Sequence, residues 1–371
     1  MKKICFLSGY FNNYKNKHSN QGGAEYQNYI LKNELENHSF KVYFIAIGDK
    51  NEVYRDGKTI VIYLKKKNRS QRFGNNFFLY TCQVLIILKR INPDVIYQRC
   101  SIAWTGIGAW YAKAYHKKFT WAIASEEDVS PFKYEKFSNL LFNWIDFIFA
   151  RYGKKNSFAI FAQADYQQNL LFKNYQVKAS EVIKNYHPLP TEVIRKATEK
   201  IKIIWIGNFS NNKQPELFIK VAESLISKNN LEFVMIGRPY NEPKQETITK
   251  KINNLNNTIY LGMLKQEEVN KEITDAHILI NTSTIEGFSN VFIQAMLRGT
   301  VVVSLNSNPD NVLSRYNCGY CANGELSRLI SYIIELSENK NKMTEMGENA
   351  IKYAIKNHSI ESQIDKIIKY F

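Results

Sequence analysis

Ile278-Leu-Ile-Asn281-Thr-Ser-Thr-Ile-Glu286-Gly-Phe-Ser-Asn290-Val-Phe-Ile-Gln294-Ala-Met-Leu-Arg-Gly299 is the most informative run in the chain. Ile278–Asn281 is a short apolar run bounded by polar residues, as expected of a buried strand. A Thr/Ser loop carrying Glu286 and Gly287 follows. Ser289 suits a helix N-cap, and the apolar residues after it recur at helical spacing until Gly299. A carboxylate therefore stands at a strand's carboxyl end, beside a helix start. Such a group can hydrogen-bond the hydroxyls of a phosphorylated ligand.

The same strand–loop–helix unit recurs on either side. Downstream of residue 200, further strands are expected at 202–206, 232–236, 258–261 and 301–304, with helices near 214–228, 243–254, 266–274, 289–298, 325–337 and 339–355. Upstream, apolar runs at 3–8, 41–47, 59–64, 95–97, 119–124 and 158–162 alternate with helical patterns near 24–38, 75–91, 102–115, 134–152 and 165–173. Strands of this length separated by helices argue for βαβ units and parallel sheets covered on both faces. The expected fold is α/β with two Rossmann-like doubly wound domains. Asn185-Tyr-His-Pro-Leu-Pro190 is a stiff connector, so the boundaries fall at 1–185, a hinge at 186–200, 201–356, and a C-terminal helix at 357–371. In that last segment Ile360, Ile364, Ile367 and Ile368 recur at helical spacing after a break at Asn357-His-Ser. It can pack in its own domain or cross to the other. Open parallel sheets bind ligands at the carboxyl ends of their strands, so a cleft between the two domains is the expected site.

Two more loops suit an anion. Gly22-Gly23 precedes a helix, and Gly207-Asn-Phe-Ser-Asn-Asn-Lys213 leads to Pro215 at another. Neither is a GxGxxG fingerprint or a P-loop, which removes support for dinucleotide binding and for a Walker ATPase. The five cysteines form no disulfide framework, and the single Cys318-x-x-Cys321 pair lacks the partners of a zinc site. A reducing cytoplasm suits them. The N-terminus lacks the ~7–15 apolar residues of a signal peptide, and nothing approaches the ~20 of a membrane span. Of 371 residues, 50 are Lys or Arg and 34 Asp or Glu, a formal charge of +16. Residues 1–190 hold 28 of the basic and 14 of the acidic side chains, against 22 and 20 in the remainder. The excess in the first half points to an anionic partner.

Taken in order, Gly22-Gly-Ala-Glu25, Gly207–Lys213, Val234-Met-Ile-Gly237-Arg-Pro, Tyr260-Leu-Gly262-Met-Leu and Glu286–Gly299 resemble the motifs of the retaining GT-B glycosyltransferases of family 4. The resemblance covers nearly the whole chain. It implies a GT-B fold with an acceptor-binding first domain, a donor-binding second domain and a C-terminal helix that crosses back. The activity implied is transfer of a sugar from a nucleotide-diphosphate donor to an acceptor hydroxyl with retention, as in bacterial surface glycan assembly. By the same resemblance Gly22 and Gly23 approach the diphosphate, and Lys213 pairs with it beside Gly207 and Asn208. Glu286 bonds sugar hydroxyls, so Glu286 and Lys213 are the catalytic candidates. Backbone amides of Gly287, Phe288, Ser289 and Asn290 hold phosphate, Gln294 faces the ribose, and Arg238 and Met263 frame the base. No metal or other cofactor is implied.

Three positions depart from the family. Asn208 replaces an arginine, Gln294 replaces a glutamate, and no histidine follows the strand at 119–124, where the chain reads Ala124-Ser-Glu126-Glu127-Asp128. Glu126, Asp128 and His18 are the acceptor-side candidates. Asn208 and Gln294 leave open a non-catalytic nucleotide- or glycan-binding protein, or a nucleotide-sugar epimerase on the same fold. His187 and His277 read as structural. The partners expected are a nucleotide sugar, a glycan or lipid-linked acceptor, and an anionic membrane surface met by the basic first half; no nucleic-acid motif is present. Lys65-Lys-Lys-Asn-Arg-Ser-Gln-Arg72 is the electrostatic candidate for that surface. The 137–155 segment, with aromatic residues at helical spacing and a basic end, reads either as a membrane-surface helix or as a core helix, and packing on the sheet is the reading favoured.

Overall fold

The computed structural model describes residues 1–11, 22–67, 77–131, 140–191, 196, 199–239 and 244–371, with the backbone alone for 140–142 and 244–247. His18, Arg69, Arg72 and Phe137 lie outside the described residues. Two units form. One runs through Asn185 and includes Gln363–Phe371; the other holds Tyr186–Ser362.

The first unit is a sheet of eight strands: β1 Lys3–Leu7, β2 Lys41–Gly48, β3 Glu52–Asp56, β4 Thr59–Lys65, β5 Val95–Arg99, β6 Lys118–Ala122, β7 Ala159–Ala162 and β8 Glu181–Val182. Its helices are α1 Gly23–Asn37, α2 Thr81–Ile91, α3 Ala103–Ala114, α4 Leu140–Lys155 and α5 Asp165–Tyr175. The strand order is β3-β4-β2-β1-β5-β6-β7-β8. β5 is buried at every residue, the polar Gln98 and Arg99 included, so only its first three residues read as an apolar run. The sheet departs from the parallel expectation at one edge, where β3 pairs antiparallel with β4. β3 is exposed at four of its five residues, so it carries little hydrophobic signal. Gly57, at φ +63°, and Lys58 make the tight turn that joins β3 to β4.

The second unit is a six-stranded sheet: β9 Ile201–Ile206, β10 Leu231–Ile236, β11 Thr258–Tyr260, β12 Ile278–Asn281, β13 Val301–Ser304 and β14 Gly319–Cys321. Its helices are α6 Pro215–Ser224, α7 Lys244–Asn253, α8 Gln266–Asp275, α9 Asn290–Met296, α10 Val312–Arg315, α11 Leu326–Glu338 and α12 Lys340–His358. The order is β11-β10-β9-β12-β13-β14, and every pairing is parallel. Apolar clusters cover both faces, one around Trp205, Phe218 and Phe233 and the other around Ile204, Leu279 and Phe292.

The chain ends in α13, Ile360–Ile368. The helix break falls at Ser359, in extended conformation, the last residue of the Asn357-His-Ser run. Here His187 donates its amide to the His358 carbonyl at 2.8 Å, and Ile360 donates to the His187 carbonyl at 3.0 Å. The last residues add to the first unit's core. The Phe371 ring meets Tyr97 at 5.8 Å, its terminal oxygen accepts from Lys2 and Lys118, and the Tyr370 hydroxyl donates to the Ser180 carbonyl. Among the described residues no helix is long and apolar enough to cross a membrane.

Candidate active site

In the second sheet the chain lays β9, β10 and β11 outward in one direction, then returns to place β12 on the other side of β9. The loops leaving β9 and β12 therefore diverge at their carboxyl ends, the place where open α/β sheets hold ligands. The loops are tied together at their base. The Trp205 indole N–H donates to the Thr282 hydroxyl at 2.9 Å, and that hydroxyl donates to the Lys213 carbonyl at 2.6 Å. Asn212 bonds Ile285 through both ends of its amide. Gln214 takes a left-handed conformation so that Pro215 can open α6.

This frame brings the Lys213 Nζ to 2.6 Å from Glu286 Oε1. The other carboxylate oxygen, Oε2, accepts from the Ser283 hydroxyl at 2.8 Å and the Asn281 amide at 3.0 Å. The Ser307 hydroxyl holds the Glu286 carbonyl at 2.8 Å. Burial alone would push the Glu286 carboxyl up. The Lys213 ammonium and the two side-chain donors outweigh it and set the group below its ordinary value. Both partners keep some access to solvent, with side-chain exposures of 25% for Lys213 and 17% for Glu286. The pair is charged, oriented and reachable.

The adjoining loops bring the other expected donor-side residues to the same edge. Gly237 has φ +149°, and a Cβ there would lie 1.8 Å from the Gly207 carbonyl oxygen, so the turns after β9 and β10 approach as only glycine allows. Phe209 donates its amide to the Arg238 carbonyl, and Gly237 donates to Gly262, which precedes Met263 after β11. Asn208 and Arg238 are exposed. Phe288, Ser289 and Asn290 lead into α9. Ser289 holds the N-cap position without a capping bond from its side chain, and Gln294 is buried on the helix.

Sequence reasoning missed what stands behind this segment. The Phe288 ring stacks on His358 with centroids 4.1 Å apart. His187 hydrogen-bonds Asn290, while its burial pulls the imidazole down to about 3 and keeps it neutral. Asn281, Thr282, Ser283 and Ser307 were also missed as supports. The polar run after β12 was the signal for the first three; His358 offered none.

In the first unit Gly22 and Gly23 open α1, and Gly22 holds the N-cap position. The Glu25 carboxylate packs so closely over Gly22 that a Cβ there would lie 2.0 Å from it. After β6, Glu126 is exposed and Asp128 is buried. Asp128 accepts three backbone amides, from Ser101 at 2.8 Å, Ala124 at 2.6 Å and Ser125 at 3.1 Å. His277, expected to be structural, accepts the Lys202 amide on Nδ1 at 3.1 Å at the start of β9, away from the carboxyl edge. No three His, Cys, Asp or Glu side chains group as metal ligands among the described residues.

Residues 191–353 match the family model described as glycosyl transferases group 1. No curated protein matches the chain. Among solved structures it is similar to HepE from Anabaena in complex with UDP and glucose, with a TM-score of 0.73, 16% identity, and coverage of 100% of this chain and 99% of the other. It is similar to S. aureus TarM in a complex that includes UDP and alpha-GlcNAc-glycerol, with a TM-score of 0.75, 14% identity, and coverage of 100% and 99%. It is similar to WaaG, a glycosyltransferase involved in lipopolysaccharide biosynthesis, with a TM-score of 0.72, 14% identity, and coverage of 98% of each chain. The fold is that of the GT-B glycosyltransferases, and the domain over 191–353 makes the chain a glycosyltransferase.

Proposed function

We propose that this glycosyltransferase moves a sugar from a nucleotide-diphosphate donor to a hydroxyl of a glycan or lipid-linked acceptor, with retention at the anomeric carbon, in bacterial surface glycan assembly. The observation that carries the reading is the Lys213–Glu286 pair at the β9/β12 crossover. As the glycosidic bond loosens, negative charge grows on the leaving diphosphate. A lysine already oriented at that point stabilises the growing charge without reorganising. The diphosphate competes with Glu286 for the ammonium, and the carboxylate, still held by Ser283 and Asn281, turns its other oxygen to the sugar hydroxyls. Gly207 and Asn208 flank the phosphates, together with the Gly287–Asn290 segment. Gln294 serves the ribose, and Arg238 and Met263 frame the base. In the first unit, Gly22 and Gly23 serve the diphosphate and Glu126 the acceptor. The reaction is assigned no metal.

HepE with UDP and glucose, TarM with UDP, and WaaG in lipopolysaccharide biosynthesis support a nucleotide-sugar donor and a surface-glycan acceptor. The test is a thermal-shift screen of nucleoside diphosphates and their sugars, followed by product analysis. A ligand at ~100 times its Kd adds about 2.7 kcal/mol to the state that binds it. The expected result is stabilisation by one nucleotide family, lost in Lys213→Ala, and a product of unchanged anomeric configuration. Binding without transfer to any acceptor, or an inverted product, rejects the reading.

A further inference from the structure

The loop after β12 is held at its front by the partners of Glu286. Behind it lie two buried imidazoles that the donor chemistry does not use, His187 at 2% exposure and His358 at 0%. Both belong to the second unit, His187 in the connector before β9 and His358 at the last residue of α12. The backbone joins them. His187 donates its amide to the His358 carbonyl at 2.8 Å, and Ile360 donates to the His187 carbonyl at 3.0 Å. The result is an isolated parallel bridge between His187 and Ser359. With both its N–H and its C=O engaged, the connector is fixed against the end of α12, and each ring starts from a set position.

Each ring meets a different residue of the loop. The His358 ring lies over Phe288, with centroids 4.1 Å apart and planes inclined by 29°. Tyr353, also on α12, faces the Phe288 ring at 6.2 Å, and Phe292 meets it edge-on at 6.3 Å. His187 hydrogen-bonds the Asn290 side chain. The two contacts flank Ser289, whose side chain makes no capping bond, so the turn into α9 lacks the usual local tie. Burying an imidazole costs desolvation that an aliphatic side chain avoids. A leucine at 187 or 358 would fill space, but it could neither bond Asn290 nor offer Phe288 a flat face.

We propose that His358 and His187 are positioning residues for sugar transfer, holding the 286–290 loop in the conformation that receives the donor. His358 acts through its flat face and His187 through its hydrogen bond. The inference rests on the proposed reading that this loop serves the nucleotide sugar. Glu286 belongs to the same loop, so a rotation at Phe288 or Asn290 carries the carboxylate with it. Misplacing a reacting group by about 1 Å can cost on the order of 10²-fold in rate. A loop reaches that accuracy only when packed side chains and hydrogen bonds lock it from behind. The backbone bridge makes the two contacts one device, because a displacement of the connector is passed to the end of α12 and so to both rings.

The experiment places the same side chain at both positions in the full chain. His358→Phe keeps a flat ring on Phe288, His187→Phe removes the bond to Asn290, and His358→Ala removes the stack. Two quantities are read: transfer kinetics per folded enzyme, and hydrogen exchange over residues 286–292 without ligand. His358→Ala and His187→Phe should each lower kcat/KM for the donor about tenfold or more, with the acceptor KM unchanged. Their exchange should quicken about fivefold or more. His358→Phe should stay within about threefold of wild type in both. Ile333→Ala, a cavity in the core around Trp205, controls for lost stability: its melting temperature should fall while kcat/KM stays. Wild-type kinetics and exchange in His358→Ala or His187→Phe overturn the proposal. So does a His358→Phe as impaired as His358→Ala, or an equal loss of kcat/KM in Ile333→Ala. Should His358→Ala fail to fold, the two Phe variants decide. Nucleotide stabilisation and transfer by the wild type report on the catalytic reading separately: their absence rejects that reading, whereas normal transfer by all variants rejects this one alone.

Discussion

Asp128 after β6 and Glu286 after β12 each follow the carboxyl end of a parallel strand, one in each sheet, and they are held in opposite ways. Asp128 is buried and faces three backbone amides. Glu286 faces an ammonium, a hydroxyl and an amide side chain. Backbone donors cannot leave without unfolding the turn, so the first arrangement builds structure. Side-chain donors can rotate toward a ligand, so the second can exchange partners. The contrast extends to the pKa values. Burial wins at Asp128 and raises it, whereas Lys213 wins at Glu286 and lowers it.

The difference can be broken most sharply at Lys213. Replacing it with alanine should cost turnover about 10²–10³-fold, the size of a lost transition-state donor, with little change in urea midpoint. Without the ammonium, burial prevails at Glu286, so the acid limb of the activity profile should move toward neutral pH in Lys213→Ala. An unchanged profile would separate the two residues. At Asp128 the order reverses. Asp128→Ala orphans three amides and should destabilise the fold by about 3 kcal/mol in denaturant, while the folded fraction keeps its nucleotide affinity.

His187 sharpens the comparison from behind the donor loop. The unfolded chain protonates this imidazole near pH 6.5, and the folded chain does so only near 3. Its stabilising effect is therefore complete above 6.5 and falls with pH between those values. About 2 kcal/mol should be lost by pH 5, and His187→Gln, which cannot take up a proton, should lose that much less over the same interval. The smallest effect is expected at exposed Glu126. Glu126→Ala should raise the acceptor KM about tenfold, near 1.4 kcal/mol, with donor binding and melting temperature unchanged. Loss of donor binding instead would remove Glu126 from the acceptor side.

Most strands and helices could be read in advance because each carries its own hydrophobic period. Ile278–Asn281 and Val301–Ser304 fall on the same residues in both readings. The elements that escaped are those that bury little: exposed β3, two-residue β8, three-residue β14 and four-residue α10. Their local patterns are too short to outweigh a turn, and the sheets supply the partners that make them form. At the candidate site, Lys213, Glu286 and the glycine turns could be named from their motifs. The side chains that hold them, Asn281, Ser283, Ser307 and His358, could not be assigned those duties.

Hydrophobic periodicity, turn chemistry and the order of the loops are local properties, and they established two α/β units and the residues at the strand ends without coordinates. The partnership of Lys213 with Glu286 spans 73 positions, and the contacts of Phe371 with Lys2 and Lys118 span 369 and 253. No local pattern encodes such distances. They arise when sheet order brings remote segments side by side, and each ion pair or terminal contact then becomes favourable because its partner is already held in place.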